Sequence, residues 1–227
     1  MSEGPSIDRP EDQGEAASVG SDTGRLETFA DGVIAIAITL LILEVKVPEP
    51  AGTTSLTAAL LKQWPSYGGY AVSFLTIGVI WVNHHHMFKL IARTNHAFLI
   101  LNVVFLMAIA FLPWPTALVA AYMQDPAGRA AAAFVYALTM VAIAVMFNLV
   151  WRYAVARGLL TTGLDPRAVT RAGRNYMLGP AVYGAATLIA IWAPFVTLGI
   201  CGGLAVYWLL PGTGPRATLL GSAPSAG

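Results

Sequence analysis

An all-α protein crossing the membrane on six transmembrane helices is the fold class this sequence predicts, on three observations. Hydrophobic residues make up 56% of the 227-residue chain and charged residues only 11%, whereas a soluble domain carries about 25% charged residues. Mean hydropathy is +0.65. The apolar residues come in blocks rather than stripes, and a block of roughly 20 apolar residues is what a helix needs to cross a bilayer. A single cysteine, Cys201, excludes a disulfide framework and a multi-cysteine metal site.

The elements follow in order. Residues 1–24 are polar and acidic, with Glu3, Asp8, Glu11, Asp12, Glu15 and Asp22 set against Arg9 alone. Such a stretch lacks the apolar surface that folding requires and is expected as a disordered tail. A transmembrane domain is expected over 25–211, and a second disordered tail, rich in Gly, Pro and Ser, over 212–227. The first span covers about 26–47 and is closed by Pro48-Glu49-Pro50, because a residue before proline leaves the helical region. An acidic tail in front of it, and no small-residue cleavage site behind it, separate it from a removable signal peptide.

A short amphipathic piece, Ser55 to Lys62, leads to a second span of about 66–88, with Trp64, Tyr67 and Tyr70 suited to the headgroup level. The third span, 96–122, should bend in its later half at Pro113 and Pro115. The fourth covers 130–154, and a basic loop from Arg157 to Arg174 follows. Tyr176 to Leu210 carries no charge and has the length of two short spans, broken near Trp192-Ala193-Pro194; read as one kinked helix, it would make the total five. With six, Arg25, Lys89, Arg93, Arg152 and the basic loop share one side, and Lys46, Lys62 and Arg129 the other. The excess of positive charge places both termini in the cytoplasm.

The first span organises the chain. Wound at about 100° per residue with Ile36 at zero, it puts Phe29, Gly32, Thr39, Leu40 and Leu43 within about 60° of Ile36, and Asp31 at about −140°. One face is therefore apolar with a single hydroxyl, and another carries a carboxylate. The stripe of Ile36, Leu40 and Leu43 is compatible with ordinary helix packing and with a hydrophobic constriction that closes a pore by dewetting. A carboxylate in a membrane helix is costly and needs a partner. For Asp31 the candidates are Arg25 and the polar groups of Asn83, His84 and His85 on the second span, in a structural role.

Arg25-x-x-x-Phe29-Ala30-Asp31, at the start of a first membrane helix, resembles the Arg-x-x-x-Phe-Ser-Asp signature of the endosomal/lysosomal potassium channel family (transmembrane protein 175) and its prokaryotic relatives. The run from Gly32 to Leu43, the Trp81-x-x-His84-His85-x-x-Phe88 pattern and the six-span length extend the resemblance over roughly 25–210. Its departure is Ala30, where the signature has serine. The resemblance implies a potassium-permeable channel in the bacterial inner membrane, assembled as a homotetramer with the first helix lining a central pore. It implies a bottleneck at Ile36, further apolar rings at Leu40 and Leu43, and a role for Thr39 in ion preference. Arg25, Phe29 and Asp31 become a structural signature, with Trp81, His84 and His85 as partners on the second span.

The chain has no Thr-Val-Gly-Tyr-Gly segment, so such a pore would not pass potassium between carbonyl rings. Glu44 could raise the cation concentration at the pore mouth, or pair with Lys46. Consecutive helical residues point in different directions, so His84, His85 and His86 do not converge on one metal ion, and no metal or other cofactor is expected. The basic loop suits anionic lipid headgroups rather than nucleic acid. No catalytic constellation is visible: there is no Gly-x-Ser-x-Gly, phosphate loop or metal-ligand helix, so an enzyme is not expected. The alternative function is a proton-coupled secondary transporter with Asp31 as the coupling carboxylate; such carriers favour an internal repeat and a helix broken at mid-membrane.

Overall fold

The computed structural model describes residues 10–49 and 55–210. Among these the regular structure is helical: α1 (Pro10–Leu40), α2 (Leu56–Lys62), α3 (Trp64–Phe88), α4 (His96–Phe111), α5 (Pro113–Tyr122), α6 (Arg129–Ala156), α7 (Pro166–Tyr176), α8 (Leu178–Ile189) and α9 (Pro194–Leu209). The tail expected over 212–227 lies outside the described residues.

The first helix differs from expectation at both ends. It begins at Pro10, inside the acidic stretch read as a disordered tail. Proline suits a first helical position. Extending an existing helix also avoids the cost of nucleation. At its other end the α-helix stops at Leu40 and tightens into a 3-10 turn over Leu41–Glu44, so the span closes before Val47.

Proline sets two of the remaining boundaries. Pro113 divides the third span into α4 and α5, which together still run from His96 to Tyr122. Ala193 leaves the helical region (φ −137°, ψ 69°) before Pro194, where α9 begins. The charge-free block is thus two helices, α8 and α9. They pack on each other, and Thr197 of α9 donates a hydrogen bond to the Ala186 carbonyl of α8 at 3.0 Å.

Side-chain oxygens cap several helix starts. Ser55 accepts from the Ala58 amide, Asn95 from Phe98 and Asp165 from Arg167. Thr23–Glu44, His96–Tyr122 and Arg129–Ala156 are long and apolar enough to cross a membrane. The third of these, α6, is the hub and packs against α4, α5, α7, α8 and α9. Trp151, Tyr136, Met140 and Ile143 of α6 are buried in the core. A fully enclosed hydroxyl cluster joins three helices, with Ser73 Oγ 2.8 Å from Thr116 Oγ1 and 3.0 Å from Tyr136 Oη. At one end of the bundle the α3–α4 and α6–α7 loops are tied by Ala92 N donating to Leu159 O at 2.9 Å and Thr161 N to Leu90 O at 2.8 Å.

Candidate functional site

Helix α1 has three differently used sides. Leu26, Ala30, Ile34, Ala37 and Leu41 are buried, at the three- and four-residue spacing of one helical face. That face carries much of the packing of α1 on α3 and α4. Ala30 is fully enclosed there, so the position of the signature serine is filled by a methyl group in an apolar seam.

A second side is polar and faces α3. Trp81 Nε1 donates to Asp31 Oδ1 at 2.9 Å, and His85 Nδ1 donates to Glu27 Oε1 at 2.8 Å. The two rungs are four residues apart on each helix and run in opposite directions, which makes an antiparallel ladder. The Trp81 and His85 rings stack with centroids 5.9 Å apart. Asp31 therefore takes its hydrogen bond from Trp81 and not from Arg25, Asn83, His84 or His85. Arg25 is exposed, and among the described residues it forms no ion pair. Charge at the edge of the apolar span satisfies itself in water or headgroups, whereas Asp31, deeper in the span, meets the indole that the packing brings opposite.

The three consecutive histidines go three ways. His85 meets Glu27, and His86 Nδ1 donates back to the Val82 carbonyl of its own helix at 2.6 Å. His84 is fully buried, stacked on Phe105, with Nε2 3.4 Å from Asn102 Oδ1. Because Asn102 Nδ2 donates to Phe98 O, its Oδ1 is the acceptor and His84 Nε2 the donor. Among the described residues no three His, Cys, Asp or Glu side chains gather as a metal cluster would require.

The third side of α1 is apolar and open. Ile36 is 63% exposed, Leu43 65%, Phe29 54% and Leu40 42%, although all four are large and apolar. Among the described residues, nothing beyond its own helix backbone and chain neighbours lies within 4 Å of where a Cβ on Gly32 would sit. Thr39 shares this face, and its hydroxyl donates backwards to the carbonyls of Ala35 (3.0 Å) and Ile36 (2.9 Å). With its proton so used, the oxygen presents only lone pairs outward. Glu44 is half-buried at the end of the 3-10 turn, and among the described residues no ion pair joins it to Lys46. The expected stripe is thus left uncovered by the other described residues. Sequence reasoning missed Glu27 as a partner of His85; its four-residue spacing from Asp31, matching that of Trp81 and His85, was the available signal.

Residues 25–113 match the family described as endosomal/lysosomal potassium channel TMEM175. The chain is 45% identical over 193 residues to a potassium channel of Chamaesiphon minutus, covering 84% of this chain and 95% of that one. This chain belongs to the TMEM175 family. A potassium channel of Streptomyces collinus is 44% identical over 192 residues, covering 83% of this chain and 92% of the relative. The crystal structure of a lysosomal potassium-selective channel TMEM175 homolog from Chamaesiphon minutus superposes with a TM-score of 0.77 at 43% identity, over 83% of this chain and 97% of that one. The TMEM175 family is one of ion channels rather than enzymes, and the protein is a multi-pass membrane protein of this class.

Proposed function

We propose that the chain is a potassium-permeable cation channel that assembles as a homotetramer around the open face of α1. The observation that carries this reading is the uncovered stripe of Ile36, Leu40 and Leu43 on a helix whose other sides are occupied. Apolar residues of that size in a continuous line call for a partner surface, lipid or a shared axis. Around a four-fold axis they form stacked apolar rings, with Ile36 as the constriction and Leu40 and Leu43 beyond it.

A closed ring of four Ile36 side chains excludes water and with it hydrated ions. Opening requires α1 to tilt or rotate so that the ring widens. Thr39 hydroxyls, whose lone pairs face outward, then replace part of the hydration shell of potassium, and Glu44 concentrates cations at the mouth. The ladder of Asp31 with Trp81 and Glu27 with His85 holds α1 in register on α3. Arg25 and Phe29 belong to the same signature, and His84 anchors α3 from within. The domain spans 25–211 as six crossings in the bacterial inner membrane, with both termini in the cytoplasm and the Arg157–Arg174 segment against anionic lipid.

Reconstituted single-channel or flux recording of Ile36→Asn beside the wild type tests the assignment. A polar ring at that level relieves dewetting and raises potassium conductance. Unchanged conductance, with transport instead lost in Asp31→Asn, would overturn the channel reading in favour of a proton-coupled carrier.

A further inference from the structure

A crevice of about 250 Å³ opens at the end of the bundle where α3, α6 and α9 begin and α5 ends, opposite the tied α3–α4 and α6–α7 loops. Trp64 and Phe195 stand at its mouth, each about half exposed, with ring centroids 6.1 Å apart. Val72, Val119 and Leu198 form its inner wall. From Trp64 to Val72 it follows α3 for about 12 Å, at 1.5 Å per residue. Gly68 of α3 and Gly199 of α9 line it as well. A Cβ on either glycine would meet nothing within 4 Å beyond its own helix backbone and chain neighbours, so both helices leave room that the described residues do not fill. The Tyr136 hydroxyl, also in the wall, is engaged with Ser73 Oγ at 3.0 Å.

A cation stands over this mouth. Arg129, the first residue of α6, holds its guanidinium carbon 5.8 Å from the centre of the Phe195 ring. Among the described residues it forms no ion pair. Asp125, the carboxylate nearest to it in the chain, turns Oδ1 to the Ala127 amide at 3.0 Å. A guanidinium offers a planar fork of donors that matches phosphate oxygens, and arginine and tryptophan both suit the headgroup level of a bilayer. Below the mouth the walls are apolar, and an apolar void does not hold water. One occupant must therefore combine an anionic group at the level of Arg129 with hydrocarbon about 12 Å deep beside Val72. A free anion would leave the crevice unfilled, and a plain hydrocarbon would leave Arg129 without a counter-charge.

We propose that the crevice seats one membrane phospholipid, with an acyl chain lying between α3, α5, α6 and α9 and the phosphate on the guanidinium of Arg129. The site is separate from the basic Arg157–Arg174 segment, which lies beyond the other end of α6. It is also separate from the open stripe of α1, and it does not depend on the channel reading.

The test uses the purified full chain in a maltoside detergent, which carries no phosphate. The probe is phosphatidylglycerol with a diazirine in its acyl chain, and the crosslinked peptides are mapped by mass spectrometry. Saturable labelling is expected on the segments 64–72 and 195–199. Unlabelled dioleoylphosphatidylglycerol should displace it at a concentration at least about tenfold lower than dioleoylglycerol, which lacks the phosphate, a ratio equivalent to about 1.4 kcal/mol. Arg129→Gln should bring the two competitors close together. Gly68→Leu and Gly199→Leu each put a side chain into the crevice with Arg129 in place, and each should abolish saturable labelling of those segments. The glycine variants decide the matter even if Arg129→Gln does not fold. Labelling spread evenly over the lipid-facing helices, equal displacement by the two competitors, or labelling that survives both glycine variants overturns the proposal. Labelling that appears only after an assembly is dissociated into monomers assigns the crevice to a second copy of the chain and overturns it too. Ion flux is not read, so failure here and failure of the channel reading are separate results.

Discussion

Helices α1 and α6 are both long apolar membrane-spanning helices, yet the fold treats them in opposite ways. In α6, 44% of the most apolar stretch is buried, and large side chains such as Trp151, Tyr136 and Met140 point into the core. In α1 only 28% is buried; two of the five residues of the packed seam are alanines, while Ile36, Leu40 and Leu43 stay open. A helix placed to be covered within the fold puts bulk inward, where close van der Waals packing with neighbouring helices holds it, since lipid tails are as apolar as leucine. A helix that keeps bulk outward leaves that side for lipid or a partner surface, and the channel proposal sets it at a shared axis.

The sharpest way to break this comparison is to place the same polar residue on both helices. Met140→Asn should cost about 2–5 kcal/mol and reduce the yield of folded protein, through the lost methionine packing and a poorly partnered buried amide. Ile36→Asn should leave the melting temperature of the detergent-solubilised protein close to wild type while changing potassium flux by about tenfold or more, the equivalent of about 1.4 kcal/mol in a barrier. If Ile36→Asn unfolds the subunit and Met140→Asn does not, the two helices have been assigned the wrong roles.

A smaller effect is expected at the polar side of α1. Trp81→Phe removes the indole donor to Asp31 and should cost about 1 kcal/mol. Asp31→Asn in the Trp81→Phe background should then add little, a non-additivity that a double-mutant thermal-stability cycle would read. Fully additive losses would mean that the two side chains act separately. Glu27→Gln should cost less, within about 1 kcal/mol, because the Glu27–His85 pair is about a third exposed and solvent screens it. Least of all in stability terms, Thr39→Val should stay within about 0.5 kcal/mol of wild type. It should still alter the potassium-to-sodium permeability ratio measured from reversal potentials. An unchanged ratio removes Thr39 from the conduction path.

Much of this was legible beforehand. That Ile36, Leu40 and Leu43 share one face of α1 follows from helical periodicity, and the two breaks at Pro113 and Pro194 follow from proline chemistry. The partner of Asp31 was not legible. Sequence spacing shows which residues share a face of α1 but not the register in which α3 lies against it, and that register sets Trp81 opposite Asp31 and His85 opposite Glu27. The burial of Leu26, Ala30, Ile34, Ala37 and Leu41 was hidden for a related reason. Between Gly32 and Leu43 the span is apolar around its circumference apart from Thr39, so its pattern does not distinguish packed from open sides.

By itself, the sequence determined that this protein lives in a membrane and is helical, and it determined where most helices stop. Those outcomes depend on local quantities: hydropathy over a bilayer's thickness, backbone restrictions before proline, and the angular repeat of one helix. Only the tertiary structure decided which side of α1 is covered and that Trp81 meets Asp31 and His85 meets Glu27. These depend on distances between segments far apart in the chain, which packing sets and no local pattern encodes.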